Sequence, residues 1–364
     1  MKNTNVRIKD IAERAQVSVG TVDRVIHNRG RVAPDVEERV LRILRDMNYE
    51  PNLLARALGS KKKYRIAALI PDPDYDPYWH GPMEGLEKAE AAVMQYGVSI
   101  KQYLFNPYTV GSYVHRAKQL TAAGADGILV APIFYRETLP FFEEWKAKNI
   151  PFVLFNTQIP DSGALSYVGQ DSYQSGMLAG GIIHYGQYPQ STILVAHIDE
   201  EISNAAHLIK KEQGFRDYFK QNGLEEQYKI MRTQLNRSDL PNFADKLSGI
   251  IESIHNLQSI YVTTSKAHSI AAYLEQNNIN HIKLIGYDLL PQNLEYLNKG
   301  RINFLINQNP KGQGYWGIYQ LVNHLVFKKE VQALKYLPLD MISKENAAYY
   351  TKDIMIYADH NLIA

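Results

Sequence analysis

Residues 8–58 of the chain read IKDIAERAQVSVGTVDRVIHNRGRVAPDVEERVLRILRDMNYEPNLLARAL. This stretch contains three short amphipathic patterns with the period of an α-helix. The first runs from Ile8 to Ala15, and the second follows Ser18, a residue type that caps helix N-termini. The third begins at Pro34, which is tolerated in the first turn of a helix because the N–H groups there are unpaired anyway. The apolar residues predicted to form a shared core are Ile8, Ile11, Ala12, Ala15, Val22, Val25, Ile26, Val36, Val40, Ile43, Leu44 and Met47.

The second predicted helix has a mainly polar outer face, formed by Val19, Gly20, Asp23, Arg24 and His27. Two helices joined by a tight turn form the helix-turn-helix unit, whose second helix fits the major groove of DNA. Any small three-helix domain would show the same pattern. The helix pattern alone therefore leaves both DNA binding and a simple packing role open.

Charge is distributed unevenly along the chain. The 364 residues carry a formal net charge of +2. Residues 1–63 contain 14 lysines and arginines against 8 acidic residues, whereas the rest of the chain contains 26 against 30. A basic head on a slightly acidic body is typical of a modular DNA binder, although basic surfaces that only face solvent are common as well.

The same stretch carries a more specific signal. It contains I-x-D-I-A-x-x-A-x-V-S-x-x-T-V-x-R-V from Ile8 to Val25, then Arg39-Val40, N-Y-x-P-N at 48–52 and A-R-x-L at 55–58. In these residues the chain resembles the LacI-type (lactose/galactose repressor) family of bacterial transcription regulators. The resemblance implies a helix-turn-helix DNA-binding domain over residues 1–51, a homodimer, and a palindromic operator of double-stranded DNA.

The resemblance also implies DNA-contacting positions in the second helix. Val19 and Gly20 occupy the two positions that address base edges, and Arg24 the position that reads guanine. Thr21 and His27 lie where phosphate or base contacts are made. Gly20 has no side chain, so base reading would depend on Arg24 and on contact between Val19 and a thymine methyl.

Two further positions depart from the family pattern. Asp23 stands where the family usually has Ser, and we expect it to orient a neighbouring side chain rather than touch DNA. Arg7 stands where a Thr usually caps the first helix.

Residues 52–63 are predicted to form a hinge helix and linker. In the family, the A-R-x-L segment becomes helical when two copies meet over the centre of the operator. Asn52, Ala55 and Leu58 match its DNA-contacting positions, and Leu58 matches a leucine that enters the minor groove. Such an apolar wedge bends the duplex. The alternative is an ordinary linker with one buried leucine.

From residue 64 onward, apolar strand patterns alternate with helical ones, which indicates parallel sheets covered on both faces. The fold class is therefore α/β behind a helical head. The pattern repeats once, so we expect two lobes: the first about 64–161 and 309–329, the second about 162–308 and 330–364. Three crossings between lobes would create a hinged cleft, a favoured place for ligands.

The body resembles the periplasmic ribose-binding fold that LacI-type repressors carry. The resemblance rests on short motifs, including Asp76-Pro77-Tyr78-Trp79, Ile285-Gly286-Tyr287-Asp288 and Asn307-Gln308-Asn309-Pro310. The ligand-binding residues it implies are Asp76, Tyr78, Trp79, Asn156, Lys211, Thr264, Asp288 and Gln308. Aromatic faces there stack on a sugar ring, and Asp288 accepts sugar hydroxyls. Packing at a lobe edge is the alternative for Tyr78 and Trp79.

Two departures widen the choice of ligand. Thr264-Ser265 replaces an Asn-Asp pair, and Lys211 replaces an arginine, whose planar fork an ammonium does not reproduce. The expected effector is a carbohydrate, with a sugar acid, phosphate ester or amino sugar left open.

Several other functions are disfavoured. The chain has no cysteine, which excludes disulfides and thiol catalysis. No apolar run is long enough for a membrane span, and the N-terminus lacks a signal-peptide core, so we expect a cytoplasmic protein without membrane partners. Asp72, Asp74 and Asp76 alternate as in a calcium loop, but Pro77 occupies the position that requires glycine. No nucleotide, zinc or serine-hydrolase motif is present, and we expect no enzyme activity and no cofactor.

The sequence thus predicts a DNA-binding transcription regulator controlled by a sugar-type ligand. Three rivals remain: a free-standing solute-binding protein, a sugar-modifying enzyme, and a sugar-binding-like sensor that dimerises without direct control of DNA binding. The missing signal-peptide core and the basic head disfavour the first.

Overall fold

The computed structural model describes residues 6–26, 30–47, 49, 62–186, 188–200, 204–237 and 240–351. The chain divides into two compact units, Met1–Gly59 and Ser60–Ala364. We call them the head and the body. None of the helices in the described ranges is long and apolar enough to cross a membrane.

The head contains the three helices that the sequence predicts: α1 (Ile8–Ala15), α2 (Val19–Ile26) and α3 (Pro34–Asp46). Six apolar side chains are buried where they meet: Ile11, Ala12, Ala15, Val22, Val25 and Val40. The other predicted core residues pack around these six and are partly buried. The predicted helical period therefore produces one small core that all three helices share.

Local hydrogen bonds explain the tight turn between α1 and α2. Gln16 adopts a left-handed conformation with φ of 55°, which ends α1. The hydroxyl of Ser18 accepts a hydrogen bond from the backbone N–H of Thr21 at 3.1 Å, so Ser18 caps α2 as predicted. Arg39 in α3 donates from Nε to the carbonyl of Ala15 at 3.1 Å. These contacts fix α2 with one side on the core and the other facing solvent.

The body contains twelve strands and ten α-helices in its described residues. The strands are β1 (Tyr64–Pro71), β2 (Val98–Phe105), β3 (Gly127–Val130), β4 (Phe152–Phe155), β5 (Ser166–Gly169), β6 (Ser191–Ile198), β7 (Tyr228–Leu235), β8 (Leu257–Val262), β9 (Lys283–Tyr287), β10 (Phe304–Asn307), β11 (Leu334–Tyr336) and β12 (Asp340–Ile342). The helices are α4 (His80–Val93), α5 (Val110–Ala123), α6 (Tyr135–Ala147), α7 (Ser172–Tyr185), α8 (Ala206–Gln221), α9 (Leu240–Ser253), α10 (Ala267–Gln276), α11 (Pro291–Asn298), α12 (Pro310–Leu325) and α13 (Ala347–Thr351).

The strands form two six-stranded sheets, one in each lobe. The first sheet has the order β11-β5-β4-β3-β1-β2 and is parallel throughout. The second has the order β12-β10-β9-β8-β6-β7, and only β12 runs antiparallel to its neighbour. Buried apolar clusters cover the sheets. The predicted parallel, two-lobed α/β architecture is therefore confirmed.

Two short strands correct the predicted lobe boundaries. Residues 166–169 were assigned to the second lobe, but they form β5 and pair with β4 in the first sheet. Residues 334–336 were also assigned to the second lobe, but they form β11 and pair with β5. Runs of three or four residues carry little local pattern, and long-range pairing decides which sheet they join. The chain crosses between the two sheets three times; the first crossing lies at 170–171 rather than near 162, and the third lies between β11 and β12 rather than near 330.

Helix α7 follows the first crossing and packs closely on α8 of the second lobe, and α12 follows the second crossing and packs closely on α4 of the first lobe. Gly176 in α7 faces α8 so closely that a Cβ there would lie 2.0 Å from the carbonyl oxygen of Lys211. Gly314 in α12 faces α4 in the same way, with 2.0 Å to the carbonyl oxygen of Pro82. Only glycine permits this approach of two helix backbones. The backbone that carries Lys211 is thereby held in place.

Candidate functional site

A cavity of about 400 Å³ lies between the two lobes of the body. Its lining residues follow strands of both sheets. Asp76 follows β1 and Asn156 follows β4 in the first lobe, and Asp288 follows β9 and Gln308 follows β10 in the second. The carboxyl ends of parallel strands are where open α/β sheets bind ligands. We call this cavity the cleft.

The cleft brings together all the side chains that the sequence singled out in the body. Each of these eight residues lines it: Asp76, Tyr78, Trp79, Asn156, Lys211, Thr264, Asp288 and Gln308. They come from segments that are far apart in the chain and from both lobes. A small molecule in the cleft would therefore contact both lobes at once.

Asp288 is buried at the floor of the cleft. Its Oδ2 accepts a hydrogen bond from Nε2 of Gln308 at 2.6 Å. Its Oδ1 has no hydrogen-bond partner among the residues that the structure describes. Burial raises the pKa of Asp288 to about 7, and the charges of Lys211 and Lys266 oppose that shift only in part. Asp288 thus offers one unused acceptor oxygen to a ligand.

The backbone at Asp288 is arranged to aim this carboxylate. Asp288 has a φ of 67°, and Asn156, which follows β4 in the other lobe, has a φ of 66°. Asp and Asn adopt this left-handed conformation more readily than most residues. The side-chain amide of Asn293 donates to the carbonyl oxygens of Tyr287 at 2.8 Å and Asp288 at 3.0 Å. The turn after β9 is therefore fixed from behind.

Lys211 is fully buried beside Asp288 and Gln308. Its Nζ donates to the carbonyl of Thr263 at 3.0 Å and to Oε1 of Gln308 at 3.3 Å. The same nitrogen lies 3.6 Å from the ring centroid of Tyr287, a cation–π contact. Burial lowers the pKa of Lys211 to about 8, while Asp288 acts in the opposite direction. Lys211 therefore orients Gln308, which in turn holds Asp288.

Tyr78, Trp79 and Asn156 form an aromatic and amide wall on the first lobe. The rings of Tyr78 and Trp79 pack edge to face with centroids 5.0 Å apart. The Asn156 amide donates to the Tyr78 hydroxyl at 2.8 Å. Burial holds the pKa of Tyr78 well above its ordinary value, so the phenol is neutral. Opposite them, the Thr264 hydroxyl is buried without a partner among the described residues.

Sequence reasoning missed several residues of the cleft. The polar ones are Asp199, Glu200, Asn204, His207, Asn236, Thr263 and Ser265. His207 contacts Glu200 through Nε2 at 3.1 Å and reaches Thr157 of the other lobe through Nδ1 at 3.3 Å. Asp199 and Asn236 directly follow β6 and β7, so the rule that ligands bind at strand ends could have found them.

An ion pair that the sequence did not predict joins the lobes beside the cleft. The ammonium of Lys266 lies 2.5 Å from Oδ1 of Asp76. Asp76 also accepts a hydrogen bond from the backbone N–H of Tyr78 at 3.1 Å, which caps the short 3₁₀-helix Pro77–Trp79. Asp76 therefore takes part in lobe contact as well as in lining the cleft.

The head presents the second candidate surface on α2. Val19 is 49% exposed, and Gly20 and Arg24 are exposed as well. Thr21 is half-buried, with its hydroxyl 3.0 Å from that of Ser18. Asp23 lies near Tyr49, where its charge adds to burial in raising the pKa of that phenol. The predicted positions His27, Asn52, Ala55 and Leu58 lie outside the described residues.

Arg7 is the N-cap residue of α1, as its position predicted. The Asp10 carboxylate accepts a hydrogen bond from the backbone N–H of Arg7 at 2.9 Å. The acidic side chain thus reaches back to the first turn, where a negative charge is favourable.

The fold and the cleft define a two-lobed binding protein of the periplasmic type that carries a helix-turn-helix unit. Residues 66–329 match the family described as periplasmic binding protein domain, and residues 7–52 match the one described as bacterial regulatory proteins, lacI family. The chain belongs to the periplasmic binding protein domain family, and at residues 7–52 it carries a DNA-binding domain of the lacI family.

Individual relatives agree with this assignment. The sucrose operon repressor of Escherichia coli is 32% identical over 167 residues, which is 45% of this chain and 48% of the repressor. The chain thus spans about half the length of such curated relatives. A solved structure described as a candidate LacI transcriptional regulator from Bacteroides fragilis is 28% identical, with a TM-score of 0.72 over 79% of this chain and 100% of that one. GanP, a glucose-galactose binding protein from Geobacillus stearothermophilus, is 25% identical, with a TM-score of 0.69 over 79% and 99% of the two chains.

Proposed function

We propose that the chain is a sequence-specific, DNA-binding transcription regulator whose operator affinity is controlled by a sugar or sugar derivative in the cleft. One observation carries the proposal. The head exposes a helix of the DNA-reading type. In the cleft of the same chain, the buried acceptors Asp288 Oδ1 and Thr264 Oγ1 have no hydrogen-bond partner among the described residues. Buried polar groups are normally hydrogen-bonded, so these two favour a ligand that brings donors.

A sugar fits this chemistry. Its hydroxyl groups donate hydrogen bonds, which suit Asp288 and Thr264, while the C–H face of its ring suits the rings of Tyr78 and Trp79. The amide of Asn156 and the ammonium of Lys211 add donors for ring or hydroxyl oxygens. Asp76 and Gln308 complete the proposed ligand set. The name of the sucrose operon repressor supports the same class of effector.

For the head, we propose that Val19, Gly20, Thr21 and Arg24 face the major groove, with His27 beside them. We also propose that the chain is a homodimer on a palindromic operator, because the helix-turn-helix family reads paired half-sites. Residues 1–51 would form the DNA-binding domain and 52–63 the hinge, with Asn52, Ala55 and Leu58 at the operator centre. The body, 64–364, would respond to the effector.

A ligand in the cleft would control the DNA affinity because the cleft lies between the two lobes. A ligand can shift the DNA affinity only by its differential affinity for two arrangements of the lobes. The cleft residues of both lobes supply such a difference, because a bound sugar contacts both. As a regulator of chromosomal DNA, the protein would act in the cytoplasm. We expect it to release a bound sugar unchanged rather than turn it over.

A two-part experiment tests the proposal. Purified full-length protein is first screened by thermal shift against sugars, sugar acids and sugar phosphates, because a ligand at 100 times its Kd stabilises by about 2.7 kcal/mol. Double-stranded DNA is then selected from a random pool with and without the best stabiliser. We expect an enriched palindrome and an affinity that changes with the sugar. If none of the compounds stabilises the protein, the proposed sugar effector is rejected. If no DNA sequence is enriched, the proposed role as a DNA-binding regulator is rejected.

A further inference from the structure

A second concavity of about 750 Å³ lies beside the cleft. It too is lined by both lobes: Tyr75 and Tyr108 come from the first lobe, and Tyr273 of α10 and Tyr296 of α11 come from the second. None of these residues was singled out by the sequence. We call this concavity the outer groove.

The outer groove adjoins the cleft. Two residues, Tyr108 and Asp199, line both of them. Arg237 stands at this junction, where its Nε lies 2.5 Å from Oδ2 of Asp199 and its backbone N–H donates to Oδ1 at 2.7 Å. A ligand too long for the cleft would therefore extend past Asp199 into the outer groove.

The charged groups of the outer groove are already paired. Both carboxylate oxygens of Asp199 accept from Arg237, and Glu295 is held by Lys299 at 2.7 Å. His268 lies 3.0 Å from Asn293 Oδ1 through Nδ1 and 3.4 Å from Arg237 Nη1 through Nε2. Burial lowers the pKa of His268, which fits a neutral ring with its proton on Nδ1. Such a groove suits a neutral ligand better than an ionic one.

Two of the four tyrosines of the outer groove are exposed, whereas Tyr273 and Tyr296 are half-buried against the core of the second lobe. Tyr75 is 54% exposed and Tyr108 is 47% exposed. Tyrosine combines an apolar face with a hydroxyl at its edge, so several tyrosines around one concavity suit a ring that is apolar on its faces and polar at its rim. A sugar ring has this character.

We propose that the outer groove is a second ring subsite, and that cleft and groove together take a disaccharide or longer oligosaccharide. One ring would lie in the cleft against Asp288 and Thr264. The next would pass Asp199 and lie between Tyr75 and Tyr108 on one side and Tyr273 and Tyr296 on the other. This inference rests on the proposed function, because it places the first ring in the same cleft. A second ring would also bridge the two lobes.

Titration calorimetry of the full chain tests the subsite with matched probes. The monosaccharides are glucose, galactose and fructose, and the disaccharides built from them are maltose, lactose, melibiose and sucrose. We expect at least one disaccharide to bind about tenfold more tightly than either of its component sugars. Disaccharide affinity no better than that of the components in every case would overturn the subsite and leave the sugar-binding cleft intact.

Tyr75→Ala isolates the outer groove, because this exposed side chain does not line the cleft. We expect it to weaken the best disaccharide about three- to tenfold and to change monosaccharide binding less than about twofold. Tyr185→Ala, which removes a tyrosine that is 98% exposed elsewhere on the second lobe, should change neither. Equal losses for both classes of sugar in Tyr75→Ala would contradict a second subsite. If the wild-type protein binds none of the seven sugars, the subsite proposal fails, whereas the proposed effector class is decided separately by the wider screen of sugars, sugar acids and sugar phosphates.

Discussion

The ammonium nitrogen of Lys266 lies 2.5 Å from Oδ1 of Asp76, and these two residues belong to opposite lobes. Their side chains are only 5% and 13% exposed. Lys266 also lies 3.2 Å from the Ser265 hydroxyl. Each charge is thus taken out of water with the other as its partner, and the partner is lost if the lobes separate. The pair therefore favours the arrangement in which the lobes are close.

The first prediction concerns this ion pair. Lys266→Met should lower the free energy of unfolding by at least about 1 kcal/mol and weaken sugar binding, because a buried Asp76 carboxylate loses its cation. Chemical denaturation and calorimetry measure both effects. Lys146→Met is the control, since it breaks an exposed pair with Glu143 and should cost less than about 1 kcal/mol. Equal stability and sugar affinity in Lys266→Met and wild type would refute a role in holding the lobes.

The second prediction concerns pH. A protonated carboxyl loses acceptor capacity, and the pKa of Asp288 is raised to about 7 in the ligand-free protein. Protons and sugar hydroxyls therefore compete for Asp288. Sugar affinity should fall as the pH drops below about 7, by up to about tenfold for each pH unit. Calorimetry between about pH 5 and pH 8 measures this dependence.

Asp288→Asn is the matched variant for the pH experiment, because Asn also tolerates the left-handed backbone at this position. It should bind sugar weakly at every pH in that range, lose the effector response, and keep ligand-free DNA binding. Asp245→Asn, at an exposed position on α9, should behave like wild type. A wild-type affinity that does not vary with pH would argue against an ionised Asp288 as the acceptor.

The third prediction concerns DNA reading. Arg24 is exposed on α2, and Arg24→Ala should relax the preference for one base pair in each half-site at a cost of roughly 1–3 kcal/mol. Selection from a random pool of double-stranded DNA measures the preference. Lys9→Ala is the control, because Lys9 lies on α1 and is paired only loosely with Glu13 at 3.9 Å. An unchanged selected sequence in Arg24→Ala would count against α2 as the reading helix.

The fourth prediction concerns helix packing. Gly176→Ala would place a Cβ 2.0 Å from the carbonyl oxygen of Lys211, and overpacking of this kind costs about 1–3 kcal/mol. Gly249→Ala, on α9, meets no atom within 4 Å among the described residues and should be neutral or stabilising by up to about 1 kcal/mol. Denaturation midpoints compare the two variants. Similar midpoints would show that α7 and α8 can move apart without loss.

The sequence predicted the parts of the fold that depend on local pattern. The periodic apolar residues of α1, α2 and α3 lie on the shared core, and the strand that ends at Tyr287 is followed by Asp288 at the cleft, because a parallel strand delivers its next residue to the sheet edge. The four-residue β5 and the three-residue β11 were misplaced. β5 pairs with the neighbouring β4, and β11 pairs with β5, which is far away in the chain. The composition of such short strands does not encode which sheet they join.

The residues of the candidate site also divide into those that local patterns predicted and those that they did not. Trp79 and Gln308 were predicted from short motifs, and Asn156 from its position at the end of a strand. Lys266 was missed because its partner Asp76 is 190 residues away. No local sequence pattern predicts a contact that forms only when two lobes meet. Tyr273 and Tyr296 were missed because they lie on amphipathic helices, where an aromatic residue is ordinarily read as part of the core.

We propose that one ligand-controlled chain reads DNA with its head and senses a sugar in its cleft. Footprinting of the full-length protein on the DNA recovered by random selection, with and without the sugar that stabilises it most, tests this most directly. We expect a protected palindromic site whose half-saturation concentration changes with the sugar in wild type and stays constant in Asp288→Asn. Absence of a protected site, or protection that the sugar does not alter, would contradict it.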